Sequence, residues 1–131
     1  MNLFAGSLSA TSWTNLLELT TVKDGGTFDS SMITKDGYFT VEYTGDQDAF
    51  ELVFQSWSGG AGWAEVKSAN STRTSSGTYV SKITYQDIVS AYGDKFDALD
   101  RLYVKTTNGS IVLKSFDYFG EGTPSDRKSV V

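Results

Sequence analysis

The stretch that decides the fold is "AFELVFQSWSGGAGWAEVKSA", residues 49–69. Two runs of alternating side chains flank a glycine-rich turn within it. The residues of apolar parity are Phe50, Leu52 and Phe54 before the turn and Ala64 and Val66 after it. Successive side chains of a strand point to opposite faces, so this period of two predicts two strands, each with one buried face. A glycine-containing connection between such runs is typical of an antiparallel hairpin.

Strand patterns recur along most of the chain. The further runs are "LLELTTV" (16–22), "GYFTVEYTG" (37–45), "GTYVSKITY" (77–85) and "RLYVKTTNGSIVLKSFDYF" (101–119). The last run predicts two strands joined at "TNGS", because Asn108 and Gly109 both accept the positive φ of a type I′ hairpin turn.

Only "TYQDIVSAYGDKFDALD" (84–100) has a helical pattern, in which Ile88, Val89 and Tyr92 share one side and Gly93 can cap the end. Many short strands with one helical connection predict an all-β fold, an antiparallel β-sandwich of the jelly-roll type with one short helix. The length of 131 residues fits one domain. We assign residues 1–120 to this sandwich module and residues 121–131 to a linker or tail.

Charge and composition exclude several classes of function. The chain has 16 acidic and 11 basic residues, a net charge of −5, and neither Cys nor His. An acidic domain without a basic cluster is a poor match to nucleic acid or to an anionic membrane surface, and no run approaches the ~20 apolar residues of a membrane span. Without Cys and His, thiol chemistry, the usual zinc sites and imidazole-dependent triads are ruled out.

The two ends of the sequence bear on its compartment. The start, "MNLFAGSLSA", lacks the basic residues and the long apolar run of a signal peptide. The protein is therefore either intracellular or an internal module of a larger exported chain. The final "GEGTPSDRKSVV" has the composition of a linker, which favours a module that is secreted as part of a larger protein.

Two of the three tryptophans flank the glycine-rich turn. Trp57 shares the parity of Gln55, and Trp63 shares that of Glu65 and Lys67, so a hairpin without a bulge places both indoles on the face away from the core. An exposed pair of indoles indicates a binding surface. Flat aromatic faces suit the C–H faces of pyranose rings, and the polar neighbours, with Glu51, could form hydrogen bonds with sugar hydroxyls. Spacing alone leaves open that both indoles pack under a loop, since Trp is usually largely buried.

The third indole, Trp13, precedes the first clear strand. We expect it in a loop. From there it would either extend the binding platform or seal the core, and we favour the platform.

The segments "ELVFQSWSGGAGWAEVKSA" (51–69), "ITYQDIVSAYG" (83–93) and "FDALDRLYV" (96–104) occur in that order. Together they resemble the non-catalytic carbohydrate-binding modules of cellulosomal plant-cell-wall endo-β-glucanases from anaerobic gut bacteria. The resemblance implies a β-sandwich that binds β-linked glucans, sometimes xyloglucan or glucomannan, through surface tryptophans, with Trp57 and Trp63 the best-fitting positions. The implied partners are plant cell wall polysaccharide and an attached catalytic domain.

Three rival interpretations remain. A glycoside hydrolase would need two facing carboxylates, and no pair is marked by spacing among the candidates Asp46, Asp48, Glu51, Glu65, Asp97, Asp100 and Asp117. A structural calcium ion could use "GDQDAFE" (45–51) or "GDKFDALD" (93–100), although neither has the EF-hand pattern, so we predict no cofactor. A protein–protein adhesion module is the third, because Tyr-rich and Trp-rich surfaces also form interfaces.

Overall fold

The alternating runs form two stacked antiparallel sheets in a computed structural model, which describes residues 1–57, 59 and 62–120. The strands are β1 Asn2–Ala10, β2 Asn15–Thr20, β3 Tyr38–Gly45, β4 Phe50–Ser56, β5 Gly62–Lys67, β6 Thr72–Arg73, β7 Tyr79–Thr84, β8 Arg101–Thr106 and β9 Ile111–Phe119. The described residues contain one α-helix, α1, at Tyr85–Ala91 and 3-10 turns at Val22–Asp24, Ser30–Met32 and Phe96–Ala98.

One sheet has the strand order β1-β9-β3-β7-β6, and the other has the order β2-β8-β4-β5. The connections β1–β2, β2–β3, β3–β4, β5–β6, β7–β8 and β8–β9 all cross between the sheets. With the two-residue β6 set aside, this is the eight-strand order of a jelly roll, so the predicted fold class is confirmed.

The core lies between the two sheets and is built from inward-facing aromatic and branched side chains. The largest completely enclosed ones include Phe39, Tyr43, Phe50, Phe54 and Phe116. The rings of Phe39 and Phe116 stack with centroids 5.3 Å apart, and both belong to the five-stranded sheet. Phe54 of the other sheet meets the Phe39 ring edge-on at 6.3 Å, so aromatic contacts join the two layers.

The hairpin of β4 and β5 orients its side chains as predicted. Leu52 pairs with Val66 and Phe54 with Ala64, and no bulge interrupts the pairing between Glu51–Ser56 and Gly62–Lys67. In both strands, the apolar side chains that were expected to be buried therefore face the core. Every residue of β4 is buried, including those that point away from the core, because β8 and β5 flank it on both sides.

The prediction of a hairpin at Asn108-Gly109 is wrong. β8 pairs with β2 and β4, whereas β9 pairs with β1 and β3 in the opposite sheet. The φ of Gly109 is +159°, which is extended backbone and not the left-handed conformation of a type I′ turn. A Cβ at Gly109 would lie 2.8 Å from the Cβ of Ala49, so close approach at this corner between the sheets explains the glycine.

The predicted helix at 84–100 is shorter than its pattern. α1 begins with a capping box, in which the Thr84 hydroxyl accepts from the Asp87 N–H and the Asp87 carboxylate accepts from the Thr84 N–H. It stops at Ala91, and Gly93 follows in the left-handed conformation with φ +96°. Ile88 and Tyr92 are buried as expected, and the chain beyond Gly93 continues in the 3-10 turn Phe96–Ala98.

The sequence patterns assign no strand to Asn2–Ala10 or to Thr72–Arg73, which form β1 and β6. Both lie at an edge of the five-stranded sheet. The linker or tail predicted at 121–131 lies outside the described residues. Among the helices of the described part of the chain, none has the length and apolar character needed to cross a membrane.

Candidate functional site

The outward side of the four-stranded sheet carries the residues that the sequence singles out. We call this surface the outer face. Its outward side chains are Trp63, Glu65 and Lys67 on β5, Glu51, Val53 and Gln55 on β4, and Arg101, Tyr103 and Lys105 on β8. They form three rows across the strands, because Gln55, Val53 and Glu51 of β4 lie directly between their partners on β5 and β8.

Trp63 lies at one corner of the outer face, supported from below. Its ring packs against the Tyr103 ring with centroids 5.4 Å apart, and its Nε1–H donates to the Glu65 carboxylate at 3.2 Å. The side chain keeps 39% of its area exposed. The support includes Gln55, which lies opposite Trp63 and accepts a hydrogen bond from the Tyr103 hydroxyl at 3.2 Å. Burial raises the pKa of that hydroxyl above its usual value, so it stays a neutral donor at physiological pH.

Trp57 follows the last residue of β4 and is the most exposed indole, with 68% of its area accessible. Its backbone N–H donates to the carboxylate of Asp100 at 2.7 Å. The other oxygen of that carboxylate forms an ion pair with Lys23, and the Asp100 N–H donates to the Gln55 carbonyl at 2.8 Å. The Lys23 hydrogen bond, and after it the Trp57 N–H, hold the pKa of Asp100 below its usual range. A buried carboxylate thus fixes the strand end from which Trp57 projects.

Trp13 lies in the turn between β1 and β2, as expected, and 59% of its area is exposed. Its φ is +61°, a left-handed conformation that costs a bulky residue about 1–2 kcal/mol. The turn is held at the end of β8: the Trp13 N–H donates to the Thr107 carbonyl at 3.1 Å, and the buried Thr106 hydroxyl donates to the Thr11 carbonyl at 2.6 Å. The ammonium of Lys105 lies 4.9 Å from the Trp13 ring centroid and links this indole to the outer face.

The charges of the outer face are paired with one another. Glu51 accepts from Lys67 at 3.1 Å and from Lys105 at 3.5 Å, and Lys67 also lies 3.9 Å from Glu65. In the row that contains Trp63 and Gln55, Arg101 forms ion pairs with Glu18 and Asp24. Every basic side chain of the outer face named above therefore has an acidic partner.

The predicted site residues do not share one environment. Trp57, Trp63 and Trp13 are exposed, and Glu65 and Lys67 are exposed beside Trp63. Gln55 is 8% accessible, and its carbonyl oxygen already accepts from Tyr103. Glu51 is 0% accessible, so the expectation that it serves a ligand directly is wrong; it neutralises two lysines beneath the surface.

Two of the carboxylates proposed for rival functions, Asp46 and Asp48, have structural partners. Asp48 accepts from the Ser68 hydroxyl at 2.9 Å and the Ser71 N–H at 3.2 Å, and Asp46 accepts from the Ser110 N–H at 2.9 Å. Among the described residues, no three His, Cys, Asp or Glu side chains are grouped so that they could hold a metal ion.

Three residues of this region were not singled out as ligand-contacting or positioning groups by sequence reasoning. Tyr103 and Lys105 lie on β8, whose outward parity follows from "RLYVKT" only once its pairing with β4 is known. Asp100 appears in the sequence as one acid among many, and its role depends on contacts with Lys23 and Trp57, both more than 40 positions away.

The sequence and the fold both match known proteins. A family model described as "Carbohydrate binding module 65 domain 1" matches residues 4–115. A solved structure described as "Non-catalytic carbohydrate binding module CBM65B" is 22% identical, covers 93% of this chain and 99% of its own, and has a TM-score of 0.68. A carbohydrate-binding module of endoglucanase Cel5A from Eubacterium cellulosolvens is 25% identical, covers 93% of this chain and 98% of its own, and has a TM-score of 0.63. No curated protein is significantly similar in sequence.

Proposed function

This chain belongs to the carbohydrate-binding module 65 domain 1 family, and we propose that it binds β-linked glucan chains through Trp63 of its outer face and through Trp57 and Trp13 at the margins of that face. The family membership makes the chain a carbohydrate-binding module and not an enzyme, as the sequence resemblance predicts. The observation that carries the proposed ligand and mechanism is the exposure of Trp57, Trp63 and Trp13.

Exposed indoles suit pyranose rings for a physical reason. A β-linked glucose unit has equatorial hydroxyls, so its two ring faces present C–H groups that pack on a flat aromatic surface. Stacking removes apolar area of both partners from water. Trp63 is well prepared for this role, because Tyr103 and Glu65 fix the ring orientation before any ligand arrives.

The indoles are spread widely enough to contact a chain of several sugar units. Lys105, whose ammonium lies against the Trp13 ring, marks the opposite corner of the outer face from Trp63. The two corners are separated by two strand spacings, from β5 to β8, and by four residues along the strand direction. With strands ~4.8 Å apart and a rise of ~3.3 Å per residue, these two corners are about 16 Å apart along the diagonal. This span favours a polysaccharide segment over a single sugar.

The paired charges of the outer face favour a neutral polysaccharide. Lys67 and Lys105 are neutralised by Glu51, and Arg101 by Glu18 and Asp24. A uronic acid polymer would have to compete with these carboxylates for each cation, whereas glucan hydroxyls can bond to the paired groups without separating them. A β-1,4-linked or mixed-linked glucan, including xyloglucan or glucomannan, fits this surface.

The biological role follows from binding without cleavage. One related module belongs to an endoglucanase, and a module tethered to a hydrolase raises the effective concentration of that enzyme at its polysaccharide. We assign the present chain the same role on plant cell wall polysaccharide, outside the cell, as part of a larger protein.

Affinity electrophoresis tests this function. Migration should be retarded in gels that contain hydroxyethylcellulose, barley β-glucan, xyloglucan or glucomannan, and unchanged in gels that contain polygalacturonate. Incubation with the same glucans should release no reducing ends. Equal migration in every gel would contradict the proposed ligand class, and release of reducing ends would revive the hydrolase interpretation.

A further inference from the structure

A concave surface lies at the edge of the four-stranded sheet. β5 is the edge strand, and a cleft of about 650 Å³ lies between it and α1. This volume falls within the range of ~300–1,000 Å³ that is usual for small-molecule sites. The polar side chains that line the cleft include Glu65, Lys67, Asn70, Thr72, Lys82 and Asp87. The described residues that line the cleft include no aromatic ring, so the cleft differs chemically from the tryptophan-bearing surface around Trp63.

The register of β5 aims backbone groups into this cleft. The Ser68 N–H donates to the Phe50 carbonyl at 3.0 Å, which makes that pair a hydrogen-bonded one. Such pairs alternate along an antiparallel ladder, so the N–H and C=O groups of Glu65 and Lys67 point away from β4. No partner for these groups lies among residues 1–57, 59 and 62–120, so in that part of the chain they are the open donors and acceptors of a sheet edge.

Asn70 adds a side-chain group with the same capacity. Its φ of +61° is a left-handed conformation that Asn tolerates, and its amide makes no hydrogen bond with other side chains or backbone groups in the described part of the chain. An amide both donates and accepts, which matches the capacity of a sugar hydroxyl.

We propose that this cleft is a second saccharide subsite, which contacts hydroxyl groups by hydrogen bonds and takes the units or branches of a glucan that extend beyond the edge of the outer face. The subsite rests on the proposed function. It is continuous with the outer face, because Glu65 and Lys67 belong to that face and also line the cleft. A chain that crosses the Lys105–Glu51–Lys67 row toward β5 leaves the sheet at the cleft.

An extended peptide that adds a strand to β5 is the competing occupant. Strand addition gains its specificity from pockets for alternate side chains. The cleft is lined by polar as well as apolar residues, and its polar side chains favour hydroxyl groups as the occupant. The cleft also adjoins the outer face of a chain that belongs to a carbohydrate-binding family, which favours a saccharide as the occupant.

Two cleft variants and one matched control test the subsite by isothermal titration. Asn70→Gly removes the amide and keeps a residue that accepts positive φ. Ala91→Leu fills the cleft from α1 without adding a hydrogen-bonding group. Asn108→Gly makes the same change as the first variant in an exposed loop outside the cleft. Each protein is titrated with hydroxyethylcellulose and with cello-oligosaccharides from the trisaccharide to the hexasaccharide.

Asn70→Gly should bind the polysaccharide and the hexasaccharide about threefold to tenfold more weakly, as expected for one lost hydrogen bond. Ala91→Leu should weaken binding of the same two ligands at least as much, because its side chain occupies the space that the sugar would fill. Both variants should bind the trisaccharide as the wild type does, and the control should match the wild type throughout. Backbone amide resonances of Glu65 and Lys67 should shift with the hexasaccharide.

Unchanged affinity of both cleft variants for every length would overturn the subsite and leave the proposed function intact. Amide shifts caused by a Val/Thr-rich heptapeptide and not by the hexasaccharide would assign the edge to strand addition. Absence of glucan binding by the wild type would overturn the proposed function and the subsite together.

Discussion

Of the two indoles that flank the glycine-rich turn, Trp57 should contribute more to glucan affinity and Trp63 more to the free energy of unfolding. Trp57 exposes 68% of its area and Trp63 only 39%. For a full indole area of about 220 Å², the exposed areas are about 150 and about 85 Å². A sugar stacked on one face covers about half of each, so stacking contributes about 1.9 kcal/mol at Trp57 and about 1.1 kcal/mol at Trp63 at ~25 cal/mol/Å². Alanine should therefore weaken glucan binding about 25-fold at Trp57 and about sixfold at Trp63.

Stability should change in the reverse order. Trp57→Ala removes a side chain that is mostly in water and should leave the free energy of unfolding nearly unchanged. Trp63→Ala removes the buried part of a ring that packs on Tyr103, which corresponds to a loss of about 2–3 kcal/mol.

Isothermal titration with hydroxyethylcellulose and urea unfolding measure the two quantities on the same preparations. Phe119→Ala is the matched control, because it removes an exposed aromatic ring from the five-stranded sheet and should change affinity little. A larger loss of affinity for Trp63→Ala than for Trp57→Ala would refute the area argument. Wild-type affinity in both folded variants would refute stacking on these indoles altogether.

Further substitutions test the supports of the site and the fold. Tyr103→Ala should weaken glucan binding severalfold by removing the ring beneath Trp63, whereas Tyr103→Phe should stay within twofold by titration. Asp100→Asn should lower the thermal midpoint at pH 7. Because the pKa of Asp100 is depressed in the folded protein, the carboxylate stabilises the fold above the unfolded-state pKa of ~3.9, and this stabilisation is lost below the folded-state pKa. The thermal midpoints of the variant and the wild type should therefore converge at low pH. A difference that grows in acid would contradict this. Gly109→Ala should cost about 1–3 kcal/mol in urea unfolding, and an unchanged midpoint would refute the close corner.

The sequence predicted the β4–β5 hairpin because that information is local. The alternation on either side of residues 58–61 fixes which side chains face the core, and the register of Gln55 with Trp63 follows once the strands pair without a bulge. The exposure of both flanking indoles was expected on the same ground and agrees with the structure. Their role in binding stays a prediction.

The wrong hairpin at Asn108-Gly109 has a different cause. A glycine in a short connection is required by a type I′ turn, and it is equally required where a neighbouring Cβ comes within 2.8 Å. The two strand patterns on either side do not indicate whether they pair or enter different sheets. β1 was missed because its small and polar residues, with two register shifts against β9, hide the alternation.

The supports of the site depend on contacts between distant parts of the chain. The hydrogen bond from Trp57 to Asp100 spans 43 positions, and that from Tyr103 to Gln55 spans 48. Glu51 is buried between β5 and β8 and pairs with one lysine on each of these strands. Parity alone places these side chains on the outer face but gives no information on which of them remain accessible to a ligand.

Titration of the ¹⁵N-labelled protein with cellohexaose, observed at the indole N–H resonances, tests glucan binding on the outer face most directly. The chain has three tryptophans and so gives three such resonances, which Trp→Phe variants assign. We expect the Trp57 and Trp63 resonances to shift saturably with one common dissociation constant, which isothermal titration should reproduce. Saturable binding by calorimetry with all three indole resonances unmoved would place the ligand elsewhere and contradict the account.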